Sequence, residues 1–257
     1  MSETFIPVFL LLFVVIITSA ILNSAGMKGK RGEARVRRCL ERSFAADANT
    51  LLNDVTLPTS DGSTQIDHIL LNRSGIFVIE TKFMAGWIFG TAKQSNWTQS
   101  IYRHKTRFKN PLHQNYRHIK EIQSLLNLDL QHLHNIVVFA GSATKKTAMP
   151  ANVIWRMRHL AAYIKGHDDI IFSDSEVREY AQILRETALA PGRQTNRTHV
   201  KNLKAREKAK AHDQSVCPRC ASALVERTNK KTGDRFLGCT NFPSCRGTRR
   251  PTEPTPI

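Results

Sequence analysis

Asp67, Glu80 and Lys82 are the residues of this sequence whose types and spacing point most directly to chemistry. If Asn72 to Gly75 close a hairpin with Leu71 opposite Ile76, paired positions sum to 147 and Asp67 falls opposite Glu80. Both carboxylates then share one face with Cβ atoms roughly 5 Å apart, a spacing at which like charges repel. A divalent ion offsets them, because hard oxygen ligands so placed suit Mg²⁺ or Mn²⁺. Lys82, two residues beyond Glu80, emerges on the same face. A bound metal polarises a phosphate and acidifies a water, and a cation steadies the developing charge, so this set matches phosphodiester hydrolysis. A register slip of one residue would separate the acids onto opposite faces. The same three residues also fit a solvated, salt-bridged strand surface.

A second constellation lies near the C-terminus. Cys217-Pro218-Arg219-Cys220 is followed after 18 intervening residues by Cys239, and five residues separate Cys239 from Cys245. Two close pairs bridged by a short hairpin suit tetrahedral thiolate ligation of Zn²⁺. Four thiols leave no ligand position for water, so the expected zinc is structural. Cys39, the fifth cysteine, reads as a small buried hydrophobe.

The elements that must hold these residues follow from periodicity. Residues 29 to 44 form a predicted helix, with Val36, Cys39 and Leu40 at helical spacing and Phe44 closing the stripe. Glu33 lies three before Val36 and seven before Leu40, so it shares the apolar face, where a carboxylate needs a partner. Leu51 to Leu57, Gln65 to Leu71 and Gly75 to Lys82 read as three antiparallel strands with turns at 59–62 and 72–75. His68 then points away from the face of Asp67 and reads as a packing residue. Gly86 to Gly90 suggests an edge strand, and Trp97 opens a polar, basic stretch that runs to Pro111. Leu112, Tyr116, Ile119, Ile122 and Leu126 mark an amphipathic helix with Gln114 opposite the stripe. Asn135 to Ala140 is continuously apolar, which suits a parallel strand buried on both faces. Ser173 and Glu176 fit a capping box ahead of a last helix that stops before Pro191-Gly192. The fold class is α/β, a mixed sheet flanked by helices.

The net charge of +17, the pI of about 10.1 and a hydrophobic content of 41% exclude a disordered polyelectrolyte and point to a folded protein with an anionic partner. Nucleic acid and an acidic membrane surface are the candidates. Residues 193 to 250 hold 15 Lys/Arg against 4 Asp/Glu, so most of the excess lies there. Between Trp97 and Lys120, Arg103, Lys105, Arg107, Lys109, Arg117 and Lys120 interleave with Tyr102, Phe108 and Tyr116. Such a pattern grips a phosphate backbone or forms a solvated face. At the other end, Phe5 to Leu22 gives 18 uncharged residues, the lower limit for a spanning helix. Glu3 precedes the run in place of a basic region, and Lys28, Lys30 and Arg31 follow it. This order predicts an uncleaved anchor in the lipid bilayer, with the body in the cytoplasm, over a cleaved signal peptide or a core helix.

Gly32-Glu33, Gln65-Ile66-Asp67-His68-Ile69-Leu70, Gly75-Ile76-Phe77-Val78-Ile79-Glu80-Thr81-Lys82 and Asn110-Pro111-Leu112-His113-Gln114, in that order, resemble the nuclease-related domain, NERD, over residues 29 to 140. That family is regarded as a branch of the PD-(D/E)xK nucleases. The resemblance implies a restriction-endonuclease-like fold, Mg²⁺ or Mn²⁺ ligation by Asp67 and Glu80, a catalytic role for Lys82 and supporting roles for Glu33 and Gln114. Ile66-Asp67 departs from the superfamily's usual Pro-Asp pair. The segment Cys217 to Arg246 resembles the C-terminal zinc ribbons of bacterial type I topoisomerases, which implies single-stranded DNA binding. Phe236 and Phe242 offer stacking faces or ribbon core, Phe236 the better suited to core, while Arg235, Arg246, Arg249 and Arg250 supply charge. The expected plan is an anchor over 1–27, the nuclease-related domain over 28–192, a basic linker over 193–215, the ribbon over 216–250 and a tail over 251–257. The expected protein is a single-pass nuclease of the bacterial inner membrane that cleaves nucleic acid, with DNA favoured. The alternatives are an inactive module tethering DNA to the membrane, and a basic surface that contacts lipid headgroups.

Overall fold

Helix α1 (Ala25–Ser43) starts four residues earlier than periodicity predicts, because the Ser24 side chain caps it by accepting from the Met27 N–H. Val36 and Leu40 are fully buried on its inner face. The computed structural model describes residues 24–45, 49–60, 62–190, 200–202, 215–217, 219, 222–229 and 233–249. The apolar run 5–22, most of the basic linker, Cys220, Arg250 and the tail lie outside the described residues. Among the described residues no helix is long and apolar enough to cross a membrane.

Three antiparallel strands follow, β1 (Thr50–Thr59), β2 (Gly62–Asn72) and β3 (Gly75–Lys82). The β2–β3 turn has Gly75 at φ +135° and the Asn72 side chain accepting from the Ser74 N–H, and the register runs Asn72↔Gly75, Leu71↔Ile76 through to His68↔Ile79. This is the pairing that the turn residues predict.

The chain next builds a second sheet from β4 (Gly86–Phe89), β5 (Asn96–Ile101) and β6 (His104–Lys109) before entering α2 (Pro111–Leu126). It then returns to the main sheet through β7 (Leu133–Phe139), adds β8 (Ala143–Lys145) to the second sheet and β9 (Val153–Ile154) to the main one, and ends in α3 (Arg158–Lys165) and α4 (Asp174–Thr187). The main sheet has order β1-β2-β3-β7-β9, with β7 parallel to both neighbours, and the second has order β6-β5-β4-β8. A mixed α/β fold is therefore observed.

Gly86 to Phe89 is not an edge strand, since β4 lies between β5 and β8. The polar stretch after Trp97 is a hairpin, anchored by a fully buried Trp97 whose ring meets Phe108 edge-on and Phe139 in a stack. Tyr102, at φ +52°, occupies a turn position usually held by Gly or Asn, so the turn carries no composition signal.

One face of the main sheet packs Ile69, Leu71, Ile76 and Val78 against α2 and α4, and the other packs Leu70, Phe77, Ile79 and Ile136 against α1 and α3. The capping box at the start of α4 is present in both halves, Ser173 to Glu176 N–H and Glu176 to Ser173 N–H. The buried stripe of α2 keeps Leu112, Ile119, Ile122 and Leu126 but not Tyr116, which is 44% exposed. Asn115 and His118 take its place. Asn115 is fully buried and its Nδ2 donates to Val78 O at 2.7 Å, Asn135 Oδ1 at 2.8 Å and Ile136 O at 3.1 Å, which pins α2 to β3 and β7. Asn115→Ala is expected to destabilise the domain by about 1–3 kcal/mol through lost buried hydrogen bonds. Chemical denaturation of the two proteins checks this.

Candidate functional site

Helix α1 reaches the end of β3 because Gly32 has no side chain. A Cβ there would lie 2.9 Å from Phe83 Cβ and 3.3 Å from Thr81 Cγ2. The next residue, Glu33, is half-buried and borders a recess of about 300 Å³ that also exposes Lys30, Arg37, Asn53, Asp54, Asp67 and His68. Burial pushes the Glu33 carboxyl above its ordinary range, and Asp54 and Glu80 add to the shift. The apolar-face position of Glu33 thus becomes an acid aimed at other acids.

Asp67 stands just past the last paired residues of the β2–β3 ladder, and its Oδ2 accepts the Thr81 N–H at 2.7 Å. Burial, followed by the charges of Glu80 and Glu33, holds its pKa well above the usual carboxylate range, with the Thr81 N–H pulling the other way. Glu80 behaves differently. Burial alone would raise it, yet Lys82 and His118 outweigh that and leave its pKa lowered. Its Oε1 accepts from Lys82 Nζ at 2.5 Å and from Gln114 Nε2 at 2.9 Å, and Gln114 Oε1 accepts from the same Lys82 at 3.1 Å. Its Oε2 lies 3.5 Å from His118 Nε2, within ion-pair range. The structure therefore groups Glu80, Lys82 and Gln114 tightly, with Asp67 and Glu33 alongside.

Gln114 departs from what helical periodicity predicts. The buried face of α2 is wide enough to include Asn115 and His118, and Gln114 lies on its border, bridging Glu80 and Lys82. His118 was missed by sequence reasoning, although its place four residues after Gln114 puts it on the same side of the helix. Asp54, at φ +54° and hydrogen-bonded to Gln65, was missed as well, since nothing local marks it. His68 is buried as predicted, with Nδ1 2.7 Å from Asn53 Oδ1, and burial and Arg37 push its pKa down to about 4. It does not turn away from Asp67 altogether, because both border the same recess at the open end of the hairpin.

Glu33, Asp54, Asp67 and Glu80 meet Lys30, Arg37 and Lys82 here, and carboxylates clustered in this way fit a hard divalent cation. Among the described residues, only the ribbon cysteines bring three ligand atoms within 4.8 Å of one another. The acids form a looser set, as suits an ion that keeps several waters.

In the ribbon, β10 (Leu224–Thr228), β11 (Arg235–Cys239) and β12 (Thr248–Arg249) form an antiparallel sheet. Cys217, Cys239 and Cys245 are buried together, with Cys217 and Cys245 Sγ 3.7 Å apart. Backbone N–H groups of Arg219 and Asn241 donate to Cys217 and Cys239 sulfurs. Cys220, the predicted fourth ligand, and Arg250 lie outside the described residues. Phe236 is half-buried, in line with a core role, whereas Phe242 is 56% exposed under the Arg227 guanidinium. Arg235 pairs with Glu226, Arg249 donates to Val216 O, and Arg246 is exposed. On the second sheet, Arg103, Lys105, Arg107 and Lys109 are exposed along the β5–β6 hairpin with Tyr102 at its tip.

A mixed α/β sheet carrying buried Glu80, half-buried Asp67 and a lysine, joined in one chain to a small cysteine ribbon, defines the class. The nuclease-related domain (NERD) family model matches residues 28–140, and the topoisomerase DNA binding C4 zinc finger model matches residues 214–254. An uncharacterized protein of Bacillus anthracis is 36% identical over 184 residues, which is 68% of this chain and 84% of that protein. DNA topoisomerase 1 of Pyrococcus horikoshii is 55% identical over 29 residues, 11% of this chain and 4% of the enzyme, and that of Pyrococcus furiosus is 52% identical over 29 residues, 11% and 3%. The chain thus spans only a few per cent of those topoisomerases. It belongs to the NERD family and carries a C-terminal topoisomerase-type zinc ribbon.

The zinc is expected to be needed by the ribbon alone. Cys239→Ser should abolish bound zinc measured by atomic absorption while the main unfolding transition stays in place. Gly32→Ala should force α1 off β3 and cost about 1–3 kcal/mol by overpacking, read as a lowered denaturation midpoint.

Proposed function

We propose that this protein is a divalent-metal-dependent nuclease that hydrolyses phosphodiester bonds in DNA, is held at the bacterial inner membrane by residues 5–22, and uses its zinc ribbon to help grip the substrate. The observation that carries this reading is the grouping of buried Glu80 with half-buried Asp67, Lys82 and Gln114, with Glu33 beside them. Asp67 and Glu80 would hold Mg²⁺ or Mn²⁺, which polarises a phosphate and acidifies water when bound. Lys82 supplies the positive charge that steadies the developing phosphate anion. Gln114 fixes the Lys82 ammonium against Glu80, and His118 keeps Glu80 charged. The Thr81 N–H orients Asp67, and Glu33 raises the local demand for a cation. The ribbon contributes the exposed Phe242 ring for base stacking and Arg235, Arg246 and Arg249 for phosphates. The run of positive residues after the apolar segment supports a body on the cytoplasmic side.

The test is cleavage of a panel of single-stranded and double-stranded DNA and RNA by the full chain in detergent. Cleavage should require added Mg²⁺ or Mn²⁺, vanish in Asp67→Ala, and fall by about 10²–10³ in Lys82→Ala. DNA binding should persist in both variants. Binding without cleavage of any substrate, with either ion, would sink the nuclease and leave the tether.

A further inference from the structure

A second recess lies on the other flank of α1. It has a volume of about 570 Å³, its aromatic floor is Phe139 and Trp155, and its walls present Arg35, Arg38 and Arg42 from α1, Arg156 from just before α3 and Arg158 from its first residue. The two rings stack with centroids 4.3 Å apart and planes within 6°. Among the described residues no acidic side chain lines the recess and none of the five arginines forms an ion pair. Arg35 donates to Ala140 O at 3.2 Å, and all five side chains are exposed.

Five guanidinium groups gathered without a counter-charge repel one another, and Arg35, Arg38 and Arg42 are spaced i, i+3, i+7 along one helix, where like charges destabilise. The dipole at the end of α1 favours Arg42 but does nothing for the other four. Arginine forks match phosphate oxygens two at a time. The recess is also placed where a substrate strand would run. Phe139 pairs with Lys82 across β3 and β7, so the recess opens at the same end of the sheet as Glu80 and Lys82. Glu33 and Asp67 border the recess on one flank of α1 and the arginines line the one on the other, so a helix about 10–12 Å across separates them.

We propose that this arginine recess binds backbone phosphates of the nucleic-acid strand that flank the scissile phosphate. The path of the strand rests on the nuclease reading of the Asp67 site, but the binding itself does not. A lipid headgroup offers the same phosphate chemistry, and binding to vesicles separates the two sources.

The test measures binding of a labelled single-stranded DNA oligonucleotide to the full chain in detergent, without added divalent ion, between about 50 and 200 mM salt. Arg38→Glu with Arg42→Glu, and separately Arg156→Glu with Arg158→Glu, should each weaken binding about tenfold or more and reduce the salt slope by about 1.4, two phosphate contacts at about 0.7 each. Arg178→Glu with Arg185→Glu, exposed on α4, is the charge-matched control and should leave the slope unchanged. Unchanged circular dichroism confirms folding. An equal loss in the control, or an unaltered slope in both recess variants, overturns the proposal. So does loss of binding to phosphatidylglycerol vesicles with DNA binding intact, which assigns the recess to lipid. Wild-type binding that depends on the recess without any cleavage under Mg²⁺ or Mn²⁺ supports the recess and counts only against the nuclease.

Discussion

A carboxylate sealed at the end of a strand has to be met by charge, and Glu80 sets that requirement for the whole domain. An unpaired buried charge costs several kcal/mol. Here it is met by Lys82 from its own strand and by Gln114 and His118 from α2, so the rotation of α2 about its axis is no longer free. Asn115, between those two helix residues, fastens the same turn to the backbones of β3 and β7. Polar contacts thus fix the helix in register, and the apolar stripe then fills the space beneath it.

Asp67 and Glu80 are neighbours with opposite fates. Glu80 has its counter-charge in hand and is held ionised, whereas Asp67 receives one backbone N–H and faces two other acids. One carboxylate is thus balanced by its neighbours while the other sits mostly among acids. Gly32 makes the second setting possible, since only a residue without a side chain lets α1 approach β3 closely enough to bring Glu33 to Asp67.

The parts legible in the sequence were those in which one local rule decides. A Gly at the turn fixed the β2–β3 register, a continuous apolar run marked β7, and Ser173 with Glu176 marked the start of α4. The β5–β6 hairpin was not legible, because β6 is exposed along almost its whole length and shows no alternation, while Tyr102 occupies the turn in place of Gly. Strands β8 and β9 are three and two residues long and exist only through their parallel partners. At the site, periodicity placed Gln114 in solvent because it counts only apolar residues, and α2 buries Asn115 and His118 among its polar ones. The motif order carried Gln114 where the period did not. His118 and Asp54 enter through contacts between distant segments, which no window along the chain contains.

Phe139 connects more of the molecule than its single position suggests. Its ring lies nearly parallel to that of Trp97, from the second sheet, and to that of Trp155, from the floor of the arginine recess. The three nearly parallel rings tie the second sheet, through Trp97, to the recess, through Trp155, so the β5–β6 hairpin and the arginine surface share one buried side chain.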